Sequence, residues 1–132
     1  MLYLDSNVFI YAALNTEAYG NKAISLLQKI QQGEEEAVTS VLTFDELFWT
    51  VKKHRGIEKA IEAGQAFLNF PNLELIAVDG ELVSSALQII REFNLDPRDA
   101  IHAATAIAEK VDAIVSTDPH FDRLKELKRS AL

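Results

Sequence analysis

Four carboxylates, Asp5, Glu46, Asp99 and Asp118, stand at matching places relative to the elements around them. Asp5 directly follows the apolar run Leu2–Leu4, and Asp118 follows Ala113–Ser116 after Thr117. Glu46 and Asp99 each fall in the first turn of an expected helix. Singly, each has an ordinary explanation. Asp5 can cap the helix behind it, Thr43 with Glu46 reads as a capping box, Asp99 suits a helix dipole, and Asp118-Pro119 is a common turn opening. Jointly they need more, because open parallel sheets bind ligands beyond the carboxyl ends of their strands. Carboxylates gathered there repel one another and raise each other's pKa unless a cation neutralises them. Hard divalent ions such as Mg²⁺ and Mn²⁺ take carboxylates and water as ligands. A site of that kind polarises a phosphodiester and acidifies an attacking water, and nearby helix N-termini favour the phosphate. The chemistry indicated is phosphodiester hydrolysis.

The elements that must position these acids follow from periodicity and punctuation. A strand at Leu2–Leu4 leads into a helix from about Asn7 to Leu14. A second helix runs from near Ala18 to Gln32, with Ala23, Ile24, Leu27 and Ile30 at helical spacing and Gly33 as its stop. Glu34–Glu36 reads as a solvated turn and Ala37–Thr39 as a strand. Thr43 opens a helix that ends in Lys52-Lys53-His54-Arg55-Gly56, basic residues before glycine being suited to a C-terminus. Helices over Ile57–Phe70 and Gly80–Phe93 flank a strand at Leu73–Val78. Asp96 caps a helix with Pro97 at its first position, running to about Lys110. A strand at Ala113–Ser116 and a short helix from about His120 complete the set. Strands that are apolar without in–out alternation predict a parallel sheet covered on both faces. The class is α/β, and residues 1–132 are expected to form a single domain.

Composition narrows the function classes. The 132 residues are 48% apolar and 25% charged, which excludes a disordered tail, a collagen-like repeat and a membrane span. No basic region precedes Asp5, so no signal peptide is expected. The absence of cysteine removes disulfides, thiolate nucleophiles and Cys-based metal sites, and the expected location is cytoplasmic. The net charge of −7 argues against broad nonspecific nucleic-acid binding, yet a carboxylate-rich metal site accounts for part of it. No glycine-rich phosphate loop is present. A phosphoaspartate enzyme would need a second Asp where Asn7 stands, and Val38-Thr39-Ser40 offers a receiver domain no acceptor.

Beyond these acids, whole motifs match a known pattern. Leu4-Asp5-Ser6-Asn7-Val8-Phe9-Ile10-Tyr11-Ala12 resembles the opening motif of PIN-domain proteins. Asp45-Glu46-Leu47 sits where that family's second acid falls. Arg98-Asp99-Ala100-Ile101-His102-Ala103-Ala104-Thr105-Ala106 is similar to its third motif, and Ser116-Thr117-Asp118-Pro119-His120-Phe121-Asp122 to its fourth. The motifs run in order over nearly the whole chain, the first and third being the most specific.

The resemblance implies a three-layer α/β/α sandwich with a short central parallel sheet and a Mg²⁺- or Mn²⁺-dependent endoribonuclease site. Asp5, Glu46, Asp99 and Asp118 would be the catalytic, metal-binding quartet, Asp122 an auxiliary acid, and Asn7 and Thr117 polar groups orienting a carboxylate, a water or the phosphate. At this size the members most resembled are VapC-like toxins, which implies an RNA substrate, a homodimer and a small antitoxin protein as partner. A catalytically silent PIN-like scaffold that docks RNA or protein is the alternative. Arg98 is the first candidate for phosphate contact, ahead of Lys52, Lys53 and Arg55 and of Arg123, Lys125, Lys128 and Arg129, which suit solvated helix ends. His102 is expected to be a packing histidine, and His54 and His120 show no partner at metal-ligand spacing. Trp49 and the phenylalanines are expected in the core or, with Tyr11 and Phe48, at a dimer face. The sequence leaves the RNA itself unnamed, because groove shape rather than a motif selects it.

Overall fold

The computed structural model describes residues 1–15 and 17–132, the side chain of Glu17 excepted. In chain order it contains β1 (Leu2–Leu4), α1 (Ser6–Leu14), α2 (Glu17–Gln31), β2 (Ala37–Ser40), α3 (Leu42–Arg55), α4 (Ile57–Leu68), β3 (Leu73–Ile76), α5 (Gly80–Phe93), α6 (Pro97–Ala108), β4 (Ala113–Val115), a 3₁₀ turn (Pro119–Arg123) and β5 (Arg129–Ser130). The strands form one parallel sheet in the order β3-β2-β1-β4-β5. Tyr3 lies opposite both Val38 and Ile114, so the central strands are in register.

Alternation along these short strands sorts the helices into two layers. Tyr3, Val38 and Ile114 face one side and pack with α5, α6 and the 3₁₀ turn. Leu4, Ala37 and Val115 face the other and pack with the apolar sides of α1 to α4. Tyr3, Leu4, Val38 and Ile114 are all but inaccessible to solvent, and such burial is worth roughly 1.5–3 kcal/mol per large side chain. Both faces being covered explains why the strands read as continuous apolar runs. The three-layer sandwich is the observed architecture.

Several local expectations change. The box expected from Thr43 and Glu46 does not form: α3 begins after Val41, which makes no side-chain cap bond. Thr43 is fully buried, and its hydroxyl pairs at 2.7 Å with that of Thr39, which donates in turn to the Leu4 carbonyl. Asp96 does precede α6, but its side chain makes no cap bond, leaving Pro97 to set the first turn. The helix expected to Phe70 stops at Leu68, and the strand expected to Val78 stops at Ile76. The closing helix is only the 3₁₀ turn, followed by a strand of two residues, β5, held by Ile114 N–H to the Lys128 carbonyl and Ser116 N–H to the Ser130 carbonyl.

Candidate active site

The carboxyl ends of β1 and β4 stop side by side, with Leu4 opposite Val115. Asp5 and Ser116 therefore emerge together, fastened by Asp5 N–H to the Val115 carbonyl at 3.1 Å and by Ser116 Oγ donating to Asp5 Oδ2 at 2.6 Å. Asp5 is 4% exposed and also caps α1, accepting from Ser6 N–H at 2.8 Å. Its capping and site roles thus coexist. Glu46 reaches in from α3, one oxygen accepting from Ser6 Oγ at 3.1 Å and the other 2.5 Å from His102 Nε2.

His102, on α6, is wholly buried, as expected of a packing residue, but it is also a member of the site. Its Nδ1 lies 2.6 Å from Tyr3 Oη, which accepts Ser40 N–H at 3.1 Å. The tautomer follows from these partners: Tyr3 donates to Nδ1, and Nε2–H donates to Glu46. Spacing gave a signal for this residue, since position 102 lies one turn from Asp99 on the same helix face. What sequence could not supply was the facing Tyr3, whose polarity is hidden inside an apolar strand.

Asp99 opens the first turn of α6, and Asp118 follows β4. Asp118 N–H donates to Ser116 Oγ at 3.0 Å, and Asp118 Oδ1 accepts from His120 N–H at 2.9 Å. One ligand atom each from Asp99, Asp118 and His120 lie within 4.8 Å of one another. The expected quartet is thus an outer pair, Asp99 and Asp118, above an inner pair, Asp5 and Glu46, already hydrogen-bonded to the protein. His120, expected to lack partners, stands 3.2 Å from Asp118 and 4.0 Å from Asp99 because the turn folds it back across a distance in sequence that spacing rules do not see.

Electrostatics agree with this arrangement. Burial, then the charges of Asp118 and Asp5, push the Asp99 carboxyl up to about 6, against the pull of His102. Burial likewise raises Asp5, opposed by His102 and the hydroxyl of Ser116. For His102 burial acts downward but is outweighed by the bond to Glu46 and the charges of Asp5, Glu46 and Asp99, and the net direction is up. Among the described residues no Lys or Arg lies within 4.0 Å of these four acids, the recorded Lys and Arg pairs being elsewhere. The amide oxygen of Asn7 is buried without a partner, while its Nδ2 donates to Ser116 Oγ at 3.2 Å and Thr117 Oγ1 at 3.0 Å. Facing acids with no Lys or Arg beside them among the described residues, next to an unpaired acceptor, form a donor set that fits a hydrated divalent ion.

The raised groups give a sign for pH dependence. A raised pKa means that the fold holds a proton which the unfolded chain has released, so stability present at low pH is lost as pH rises through the folded value. Asp99 contributes between the ordinary carboxylate value and about 6, and His102 from its ordinary value upward. Metal-free protein is therefore expected to melt at a lower temperature at pH 8 than at pH 5. Saturating divalent metal should flatten that trend, because metal competes with the same protons. Melting curves in chelator and in excess metal check it; a flat metal-free profile contradicts it.

The remaining candidates fall around this centre. Asp122 is exposed, and both its oxygens accept from Arg129, at 2.9 and 3.0 Å. Arg129 donates also to the Ser116 carbonyl, so Asp122 reaches the site through the loop that carries Asp118. Arg98 is exposed and lies 3.9 Å from Asp45. Lys52, Lys53 and Arg55 occupy the last turn of α3, about 9–14 Å along the axis from Glu46. Arg123 donates to the Asn94 carbonyl. Trp49, expected in the core or at a dimer face, is 62% exposed and so is not a core residue of the chain, with Lys53 Nζ 5.2 Å from its ring centre. Together with Ile10, Asp45, Glu46, Thr50 and Arg98 it lines a groove of about 450 Å³ beside the site. Phe44 is exposed too, whereas Phe9, Phe67 and Phe121 are core residues as expected.

A short parallel sheet between two helical layers, with acids collected at its carboxyl edge, defines an α/β/α protein with a metal-type acidic centre. The family profile of the PIN domain matches residues 2–127, and the chain belongs to that family. Ribonuclease VapC2 of Methanocaldococcus jannaschii is 25% identical over 139 residues, covering 96% of this chain and 91% of the relative. Two solved structures share the fold. VapBC2 from Rickettsia felis, bound to a DNA fragment from their promoter, superposes with a TM-score of 0.72 at 22% identity, covering 99% of this chain and 98% of that one. VapC20 of Mycobacterium tuberculosis, a sarcin-ricin loop cleaving toxin, gives 0.77 at 14% identity, covering 92% and 93%.

Proposed function

We propose that this chain is a divalent-metal-dependent endoribonuclease, the toxin of a VapBC-type toxin–antitoxin pair, acting as a single PIN domain in the cytoplasm. The observation that carries the reading is the pairing of Asp99 with Asp118 above buried Asp5, with no Lys or Arg within 4.0 Å of them among the described residues. Asp99 and Asp118, with Asp5 and Glu46 next to them, would hold the ion, Mg²⁺ or Mn²⁺. When bound, the ion polarises the phosphodiester and acidifies the attacking water. Ser116 and Ser6 orient Asp5 by donating to its carboxylate and oppose the upward push of burial on its pKa. Glu46, fixed from both sides by Ser6 and His102, presents its remaining lone pairs to a water proton. Asn7 Oδ1 accepts from a water or from a ribose hydroxyl. The first-turn N–H groups of α6 favour the incoming phosphate. The groove lined by Trp49 and Arg98 offers a ring and a guanidinium to the strand being cut.

For the partners, ribonuclease names among the relatives and toxin–antitoxin assemblies among the solved neighbours support an RNA substrate and a small antitoxin. An apolar groove of about 510 Å³ between α1, α3 and α4, lined by Phe9, Leu47, Val51, Phe67 and Phe70, suits an amphipathic segment of such a partner. Exposed Val83 and Leu87, one turn apart on α5, suit the face of a homodimer. No helix among the described residues is long and apolar enough to cross a membrane.

The deciding experiment incubates purified protein with a panel of structured RNAs in Mg²⁺ or Mn²⁺. Cleavage is expected, with chelator abolishing it and added metal restoring it. Metal binding without cleavage of any RNA in the panel would leave the scaffold reading in its place.

A further inference from the structure

We propose that His120 is a direct ligand of the metal held by Asp99 and Asp118, and that its imidazole biases the site toward first-row transition ions over Mg²⁺. The proposal rests on the metal-dependent reading above. Its geometric basis is the 3₁₀ turn. Pro119 restricts the backbone beside Asp118, His120 N–H donates to Asp118 Oδ1 at 2.9 Å, and Phe121, with no accessible surface, anchors the turn in the core. The ring is thereby folded over the carboxylates, with Nδ1 at 3.2 Å from Asp118 and 4.0 Å from Asp99. Neighbouring ligands on an octahedral ion of this size are about 3 Å apart. The observed spread, within 4.8 Å, closes to that by small rotations of side chains that are only half-buried or exposed.

Chemistry then sets the bias. A site of carboxylates and water alone suits Mg²⁺, whereas imidazole nitrogen favours first-row transition ions, affinity rising from Mn²⁺ through Co²⁺. The imidazole is the one donor that distinguishes this centre from an all-oxygen one.

Calorimetric titration of the whole protein with MgCl₂, MnCl₂ and CoCl₂ tests the assignment, on wild type, His120→Ala, His120→Asn and Asp99→Asn. His120→Ala is expected to weaken Co²⁺ and Mn²⁺ about tenfold or more and Mg²⁺ by about threefold or less. The visible absorption of bound Co²⁺ is expected to shift with it. His120 lies half-exposed on a surface turn, so both His120 variants should melt near wild type, and that melting temperature shows that a changed Co²⁺ spectrum in His120→Asn does not come from loss of fold. Equal weakening of all three ions, or none, overturns the assignment. If Asp99→Asn abolishes binding while His120→Ala leaves every affinity unchanged, the metal site stands and His120 is not part of it. If wild type binds no divalent ion, both readings fall together.

Discussion

Asp99→Asn is expected to lower metal-dependent RNA cleavage by about a thousandfold, equivalent to the several kcal/mol that a bound ion contributes to the transition state. The same substitution is expected to make the metal-free protein more stable. Asp99 is held at about 6 by burial and by the charges of Asp118 and Asp5. Keeping it ionised in the fold costs at most about 3 kcal/mol. The Asp99 side chain is 22% exposed, and screening by water brings the figure below that ceiling. Asparagine carries no such charge. The gain should be full above pH 6, be mostly gone by about pH 4, and vanish only below the ordinary carboxylate value, where aspartate is protonated in fold and unfolded chain alike. Activity and stability thus move in opposite directions, as they do where a site is assembled at the expense of the fold. Cleavage assays with chemical denaturation at pH 8 and pH 4 check both halves. Retained cleavage would place the chemistry elsewhere, and unchanged stability at both pH values would mean that the carboxylates do not repel.

His102→Ala should be the most damaging single change to the fold. The ring has no accessible surface and bridges Tyr3 Oη at 2.6 Å to Glu46 Oε1 at 2.5 Å, joining β1 to α3 through α6. Its removal opens a cavity, strips Tyr3 of the acceptor for its hydroxyl, and leaves Glu46 with one fewer donor. Cavity and unsatisfied groups together cost about 3–5 kcal/mol, enough to lower Tm by more than about 10 °C in a chain of this size. His102→Phe restores volume but not the bonds, and should recover only part of the loss. Tyr3→Phe removes one end of the chain of bonds and leaves Ser40 N–H without its acceptor, at about 1–3 kcal/mol. A double-mutant cycle between positions 3 and 102 measures the coupling. A loss below about 1 kcal/mol for His102→Ala would show that water replaces the ring.

The residues that were legible before any coordinates are those whose role shows in local pattern. Gly80–Phe93 reads as a helix from its apolar spacing alone, and that is where α5 lies. Asp5, Asp99 and Asp118 were visible because each follows a strand or opens a helix, and the sheet topology then gathers them. Glu46 nearly escaped as half of a capping box. The structure gives its partner Thr43 to Thr39 instead, because a fully buried hydroxyl must find a bond in the core. What stayed hidden depends on contacts between distant segments. A two-residue strand such as Arg129–Ser130 has no periodicity to detect. The exposure of Trp49 is decided by where α3 meets its neighbours, and the reach of His120 by how a turn closes. His102 combines both cases, its spacing visible and its partner Tyr3 concealed ninety-nine positions away.

The strand order has a kinetic side. β1 is the first strand made and β4 the fourth, yet they are neighbours, and the bond from Ser116 to Asp5 spans 111 positions. Local helices form in microseconds, whereas a pairing this remote in sequence must wait for loop closure and for translation itself. Ribosomes deliver residues at about 5–20 per second, and no nascent chain can join Asp5 to Asp118 before the whole segment between them has emerged. The centre is therefore assembled last, after the helices of the first half are already in place. A molecule able to cut RNA is inert until the ribosome has released the segment that carries Asp118.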